Sequence, residues 1–266
     1  MSRVCPLFVV AFLLSLYSAQ AQQTSAPTTP TRDPQAITIL TQCLQAAGGT
    51  QAISAIQDFT GTGTITYNWA NQNVAGSVTV KGRGTGQFRL DADLPNGKLS
   101  WAVSKGDGFY QELDGRTRHI FFQNAVNFGS LTFPYVAIAA SLSDTSTSVS
   151  YIGVNVQNGQ KTYDIRMQQN FSTDRDPTGI LSKLTKRDFF IDATTFQVVS
   201  ISDMVHPEKI TTIDIPHEMQ FSDYQTVNGV VVPFSISELA DGQHTYTIQL
   251  SQITFNTGLQ DSDFQQ

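Results

Sequence analysis

The chain has 266 residues with 16 Lys+Arg against 22 Asp+Glu, and this acidic balance argues against a nucleic-acid binder, which would need a basic face. Only 14 % of the residues are charged, while Thr, Ser, Gln and Asn are abundant, as in β-rich exported proteins. A chain of this size buries a large core without covalent staples, so a low cysteine count does not count against export.

The opening residues carry a targeting pattern. Arg3 precedes an apolar run over 6–17 that is too short to cross a bilayer, and Ala19-Gln20-Ala21 forms a small-x-small cleavage site. The pattern predicts a signal peptide over 1–21, cleaved after Ala21, and a periplasmic protein. Cys5 lies inside this segment without a lipidation box, and Cys43 is then the one remaining cysteine, expected to be inert packing on a helix face. Cleavage removes Arg3 and no acid, leaving 15 Lys+Arg against 22 Asp+Glu and a net charge of −7. No later apolar stretch approaches the roughly 20 residues of a membrane span.

Residues 22–33, rich in Thr, Pro, Ser and Gln, are expected to form a flexible leader to one domain over 34–266. Asp33-Pro34 has the form of an N-cap followed by proline at the first helical position. Ala36, Ile37, Leu40, Cys43, Leu44 and Ala47 then recur at helical spacing until Gly48-Gly49 stops the helix. Thr50 caps a second short helix carrying Ile53 and Ile56.

From Phe59 the period changes to two. Strands are predicted over 61–67, 74–80, 88–94 and 99–104, and a hairpin joins Phe109–Leu113 to His119–Phe122 across Asp114-Gly115. After the uncharged stretch 131–142, which favours a helix beyond Pro134, strands resume over 149–156 and 162–167. A surface loop covers 174–179, a hairpin over 193–195 joins 189–192 to 196–201, and Ile210–Ile215 reads as a further strand. Asn228-Gly229 and Asp241-Gly242 then mark two tight turns, because both central residues of a type I′ turn need φ > 0. The predicted fold is mainly β (α+β): about a dozen strands in a curved antiparallel meander, with two N-terminal helices and one inserted helix.

Residues that carry chemistry are sparse. Lys81-Gly-Arg-Gly-Thr-Gly86 looks like a phosphate loop but is followed by a strand pattern, so its glycines fit curved strands better. His119, His206, His217 and His244 lack metal-ligand spacing, and His217 and Glu218 point to opposite faces of a strand. There is no Gly-x-Ser-x-Gly elbow, Asp174 and Asp176 read as solvated beside Arg175, and Asn170-Phe171-Ser172 is a weak glycosylation match. No cofactor, metal or catalytic residue is expected.

The stretch 133–142 admits two readings: a helix packed in the core, or a lid over an apolar cavity. In the second, Phe88, Leu90, Trp101, Phe109, Tyr163, Phe189, Tyr246 and Ile248 line the walls, and Phe133, Tyr135 and Ile138 belong to the lid.

Several segments resemble the Lol-type outer-membrane lipoprotein carriers (LolA/LolB-like). They are Leu44–Ile53 with Phe59-Thr-Gly-Thr-Gly63, Asp188–Asp192 with Phe196-Gln-Val-Val, and Phe221–Tyr224 with Val227–Phe234. Phe255-Asn256 through Asp263-Phe264 completes the set. The matching residues are turns and strand positions rather than reactive groups. The resemblance implies a half-open β-barrel closed by helices, whose cavity shields acyl chains. Of that family's strand arginine that governs release, only Arg89 and Arg166 offer themselves here. The chain is longer than the carriers proper, and the stretch 153–160 resembles a bacterial envelope subfamily instead. The expectation is thus a monomeric, non-enzymatic periplasmic carrier for a lipid, lipoprotein acyl chain or other hydrophobic ligand, with a membrane-protein loading partner left open. The alternative is an envelope interaction module whose apolar core is simply filled.

Overall fold

A computed structural model describes residues 29–69, 72–157 and 159–266. The signal peptide expected over 1–21 and the first part of the leader lie outside the described residues.

The chain opens with α1 (Pro34–Ala46), capped by the Asp33 carboxylate, which accepts from the amides of Gln35 and Ala36, and continues into α2 (Thr50–Ser54). Six strands follow as an uninterrupted meander: β1 (Asp58–Trp69), β2 (Gln72–Arg83), β3 (Gln87–Leu94), β4 (Gly97–Ser104), β5 (Asp107–Gln111) and β6 (Thr117–Ile120). Two helices, α3 (Phe122–Phe128) and α4 (Pro134–Ser143), then lead to β7 (Thr147–Gln157) and β8 (Gln160–Gln169). After α5 (Ile180–Leu184) come β9 (Arg187–Asp192), β10 (Val198–Val205), β11 (Ile215–Val227), β12 (Val230–Ala240) and β13 (Gln243–Phe255).

All of them join in one 13-stranded antiparallel sheet of order β6-β5-β4-β3-β2-β1-β13-β12-β11-β10-β9-β8-β7. The two halves of the chain meet where β1 pairs with β13, from Phe59↔Phe255 to Tyr67↔Tyr246. The sheet is not closed; β6 and β7 are its edge strands, and β7 is met there by the leader in an isolated bridge between Arg32 and Val149. The two edge strands are consecutive in sequence, so the α3–α4 connection runs from one edge of the sheet to the other. The expected curved, half-open antiparallel barrel with N-terminal helices is what the chain forms, with two helices, α3 and α4, where one inserted helix was expected, and α5 as a further short one.

Period-2 alternation gives the sheet one dry face. Ile65, Val78, Val80, Phe88, Leu90, Ile165, Phe189, Ile201, Ile236 and Ile248 are buried in one cluster with Leu40, Cys43 and Leu44 of α1 and Tyr135 and Ile138 of α4. The hairpin between β11 and β12 turns through Asn228 (φ 52°) and Gly229 (φ 82°), as the Asn-Gly signal predicts. The end of α1 docks on this turn, with the Val231 amide donating to the Ala47 carbonyl at 2.9 Å. Gly48 sits at φ 117° with its α-hydrogen facing the Gly229 carbonyl, so a Cβ there would collide with backbone.

Two expectations fail. Ile210–Ile215 is an irregular loop in which Ile210 and Ile213 are solvent-exposed and only Ile215 starts a strand. Pro207 and Pro216 bracket it, and Lys209 takes φ 63°, which interrupts strand geometry. The strand predicted over 119–122 ends at Ile120, and Phe122 begins α3. The leader is also tied down over its last residues: Val149 N donates to Thr31 O, and Asp33 N donates to Val149 O.

At the far end of the dry face, β10, β11 and β12 are linked by a buried polar triad. His217 Nδ1–H donates to Asp203 at 2.6 Å and Nε2–H donates to Glu238 at 3.1 Å. Asn127 Nδ2 of α3 also donates to Asp203, and Thr245 donates to Glu238. Burial alone would lower the imidazole pKa, but the two carboxylates outweigh it and raise His217 to about 10.

Two tests follow from these contacts. Gly48→Ala combines a left-handed backbone with a backbone clash and should cost at least about 2 kcal/mol in denaturant unfolding; a near-neutral variant contradicts the docking of α1 on the turn. The raised His217 pKa favours folding fully below its unfolded value near 6.5, and this contribution is lost as pH climbs towards 10. The melting temperature should therefore fall between pH 6.5 and 9, and His217→Gln should flatten that slope; an equal slope in both proteins contradicts the triad.

Candidate functional site

The candidate site is the dry face and what covers it. The α3–α4 connection lies across that face because it must span from β6 to β7. Pro134 sits at the first turn of α4, where its missing amide leaves no hydrogen bond unmade. Just before it, Phe133 is pinned by Phe59 (edge-on, 5.6 Å) and by Phe255 (stacked, 5.8 Å), at the seam between β1 and β13. The helix then packs between α1 and α2 on one side and the sheet on the other.

The far end of α4 is fastened by the leader. The Arg32 guanidinium donates to the carbonyls of Ser141 (2.9 Å), Leu142 (2.7 Å) and Thr147 (3.2 Å), with a longer contact to Asp144 O (3.4 Å). These include carbonyls that the last helical turn leaves without intrahelical partners, and a cation at a helix C-terminus also suits the helix dipole. The Asp144 carboxylate accepts from Ser146 and Thr147, and these bonds, against the opposing effect of burial, hold it below the ordinary range.

Of the residues expected to line or cover a cavity, Phe88, Leu90, Phe133, Tyr135, Ile138, Phe189, Tyr246 and Ile248 come together in the buried cluster. Trp101 and Tyr163 lie partly buried against it. Tyr135 and Ile138 are 0 % exposed, and the Tyr135 hydroxyl is buried without a hydrogen-bond partner among the described residues. Burial pushes that phenol, and those of Tyr224 and Tyr246, well above their ordinary pKa.

Phe109 does not belong to the set. It pairs in register with Ala102 and lies on the opposite face of the sheet, under the Arg89 guanidinium and beside the C-terminal residues. Its neighbour Tyr110 faces inward instead, stacking on Trp101 at 5.5 Å and contributing to an aromatic patch with Tyr246 and Tyr67. Two adjacent aromatics in a strand cannot share a face, and the sequence alone did not say which one turns in.

The two arginines nominated from the resemblance also face outward. Arg89 is engaged by Asp91 and by the Gln265 carbonyl, and Arg166 forms a two-pronged pair with Asp188 at 2.7 and 2.8 Å. The inward strand arginine is Arg187, which the periodicity of 187, 189 and 191 could have indicated. Its guanidinium lies over Phe189, at 5.9 Å from the ring centre. Asp176, expected to be solvated, is buried and accepts from the amides of Leu181 and Ser182 at the start of α5.

No protein-family model and no curated protein matches the chain by sequence. Its architecture is nevertheless shared with solved structures. A putative outer membrane lipoprotein-sorting protein domain from Vibrio parahaemolyticus covers 86 % of this chain and 95 % of its own length, at 11 % identity and a TM-score of 0.50. A DUF1329 family protein from Desulfovibrio piger covers 88 % and 98 %, at 11 % identity and a TM-score of 0.52. A LolA superfamily protein from Nitrosomonas europaea covers 84 % and 96 %, at 9 % identity and a TM-score of 0.50. An open antiparallel half-barrel with helices laid across its dry face is the LolA/LolB-like fold, and this chain has it.

Proposed function

We propose that the protein is a non-enzymatic carrier of the bacterial envelope that shields a lipid, a lipoprotein acyl chain or another hydrophobic ligand against the dry face of its half-barrel. The observation that carries this reading is the way the face is covered. A connection between the two edge strands does it, so α4 can leave without breaking a single strand pairing. Its apolar side chains, Tyr135, Ala137 and Ile138 among them, occupy the space an acyl chain would take. Burial of a chain there would contribute about 25 cal/mol per Å² before ordering costs. The periplasm is the expected compartment, in line with the targeting pattern of the first 21 residues.

A second reading has its own support. The helices and the sheet form one contiguous buried cluster, as an interaction module with a filled core would. Native mass spectrometry of protein purified gently from a bacterial periplasm separates the two. A stoichiometric co-purifying lipid supports the carrier. A bare mass that persists after incubation with mixed bacterial lipids sinks it and leaves the filled module.

The lid assignment has its own tests. Arg32→Ala frees the carbonyls at the end of α4 and should increase amide exchange over 134–143 and speed lipid uptake; unchanged exchange would show that the leader does not hold the helix. Ile138→Ala removes fully buried methyl groups and should cost about 2–5 kcal/mol while enlarging the space beneath α4. Lipid capture by the folded variant should change; capture indistinguishable from the parent protein would place the ligand elsewhere.

A further inference from the structure

Arg187, half-buried, sits on the dry side of the sheet over Phe189 and within reach of the Asp203 charge. Its single hydrogen bond among the described residues goes from Nη1 to Ser130 Oγ in the α3–α4 link, and its Nε–H is buried without a partner. Burial pushes the guanidinium down to about 10, so it stays charged at neutral pH. The acid that acts on it through space, Asp203, has its carboxylate oxygens taken by His217 and Asn127. A guanidinium offers five donors, and burying them unpaired is costly unless an acceptor completes the site.

Arg187 lines a cavity of about 270 Å³ between α3, α4 and the ends of β8 and β9. Its other polar lining comes from Thr85, Asn127, Ser141, Thr147, Gln169 and Thr185, with Asp144 already engaged by Ser146 and Thr147. That volume is at the lower end for small-molecule sites, suited to a head group rather than to a whole lipid. The cavity shares Thr85, Val126 and Gln169 with a second cleft of about 440 Å³, whose walls include Phe122, Phe171 and Leu181. Lys105 and Arg175 stand at this second cleft, and Asp144 of the first cavity is the one carboxylate lining either of them.

We infer that Arg187 and the hydroxyl-lined cavity bind the carboxylate or phosphate head of an anionic amphiphile, whose alkyl chain lies along Phe122, Phe171 and Leu181. Arg matches both head groups because its planar fork donates two parallel hydrogen bonds to them. The inference rests on the carrier reading and deepens it by naming the charge of the ligand. The cleft is lined from beside α3 and is present with α4 seated, so occupancy does not require the lid to move.

Isothermal titration of the delipidated protein with dodecanoate, dodecanol and inorganic phosphate tests it. Dodecanoate should bind about tenfold or more tighter than dodecanol, as expected for a charge-assisted pair in a partly dry site. Arg187→Met should erase that preference, and Arg187→Lys should restore part of it. Phe122→Ser, at a position already exposed, should weaken binding of both chains without disturbing the fold. Equal binding of acid and alcohol by the parent protein overturns the head-group assignment, as does a preference that survives Arg187→Met. Inorganic phosphate bound as tightly as dodecanoate overturns the amphiphile in favour of a free-anion site. Should Arg187→Met fail to fold, the acid–alcohol comparison and Phe122→Ser still decide. A protein that captures bilayer lipid in native mass spectrometry yet shows no acid preference keeps the carrier reading and loses this one; one that binds no amphiphile loses both.

Discussion

The structure depends on a single constraint: an antiparallel sheet with a continuous apolar face and two edges has to cover that face from its own chain. Ile65, Leu90, Ile165, Phe189 and Ile248 sit on one side of strands that run across the whole sheet. A second sheet could have covered them, as in a sandwich. Here the cover is helical and comes from two places, the N-terminal α1–α2 pair and the α3–α4 connection. The strand order makes the second source unavoidable, because the chain leaves the sheet at β6 and must re-enter at β7, on the opposite edge.

Polar contacts then fix where the covers sit. Arg32 holds the end of α4, and the Ala47–Gly48 segment holds α1 to the β11–β12 turn. Asp58, buried at the start of β1, accepts from the amides of Thr257, Gly258 and Leu259 and so anchors the chain after β13. Beyond it, Asp261 and Asp263 meet Arg83, Lys81 and Lys105 on the outer face of the sheet. These pairs are partly or well exposed and define the path of the C-terminal residues more than they stabilise the fold. The buried triad of Asp203, His217 and Glu238 differs in kind, since removal of one member would leave charge stranded in the interior.

Much of the fold was legible because local signals and tertiary structure agree. Period-2 runs, the Asn228-Gly229 and Asp241-Gly242 turns, the Asp33-Pro34 cap and Pro134 each act within a few residues, and each appears where expected. What failed needed information from across the sheet. Ile210–Ile215 alternates like a strand but finds no ladder partner before Ile215, and its isoleucines stay in solvent. Phe109 and Tyr110 are equally apolar to a sequence reader, and only the register with Trp101 decides between them. The His217 triad joins residues 14 and 21 positions apart, each unremarkable in its own strand. Arg187 shares the inward face of Phe189 and Ile191, where an arginine runs against the apolar pattern.

The filled core and the carrier reading are compatible for an energetic reason. Apolar area removed from water counts the same whether it belongs to Tyr135 and Ile138 or to an acyl chain, at about 25 cal/mol per Å². Displacing α4 by a ligand therefore exchanges one burial for another, and the balance is decided by smaller terms: the hydrogen bonds from Arg32, the aromatic contacts of Phe133 and the exposure of the displaced helix. The absence of charge in α4 makes it a good occupant of the face and a poor one of water, so on the carrier reading it would return once the ligand left. A cover of this kind keeps the dry face from attracting other chains. An anionic head group at Arg187 would act at the α3–α4 link itself, through the residue that already holds Ser130, and so would bear on the segment that leads into α4 while the helix stays seated.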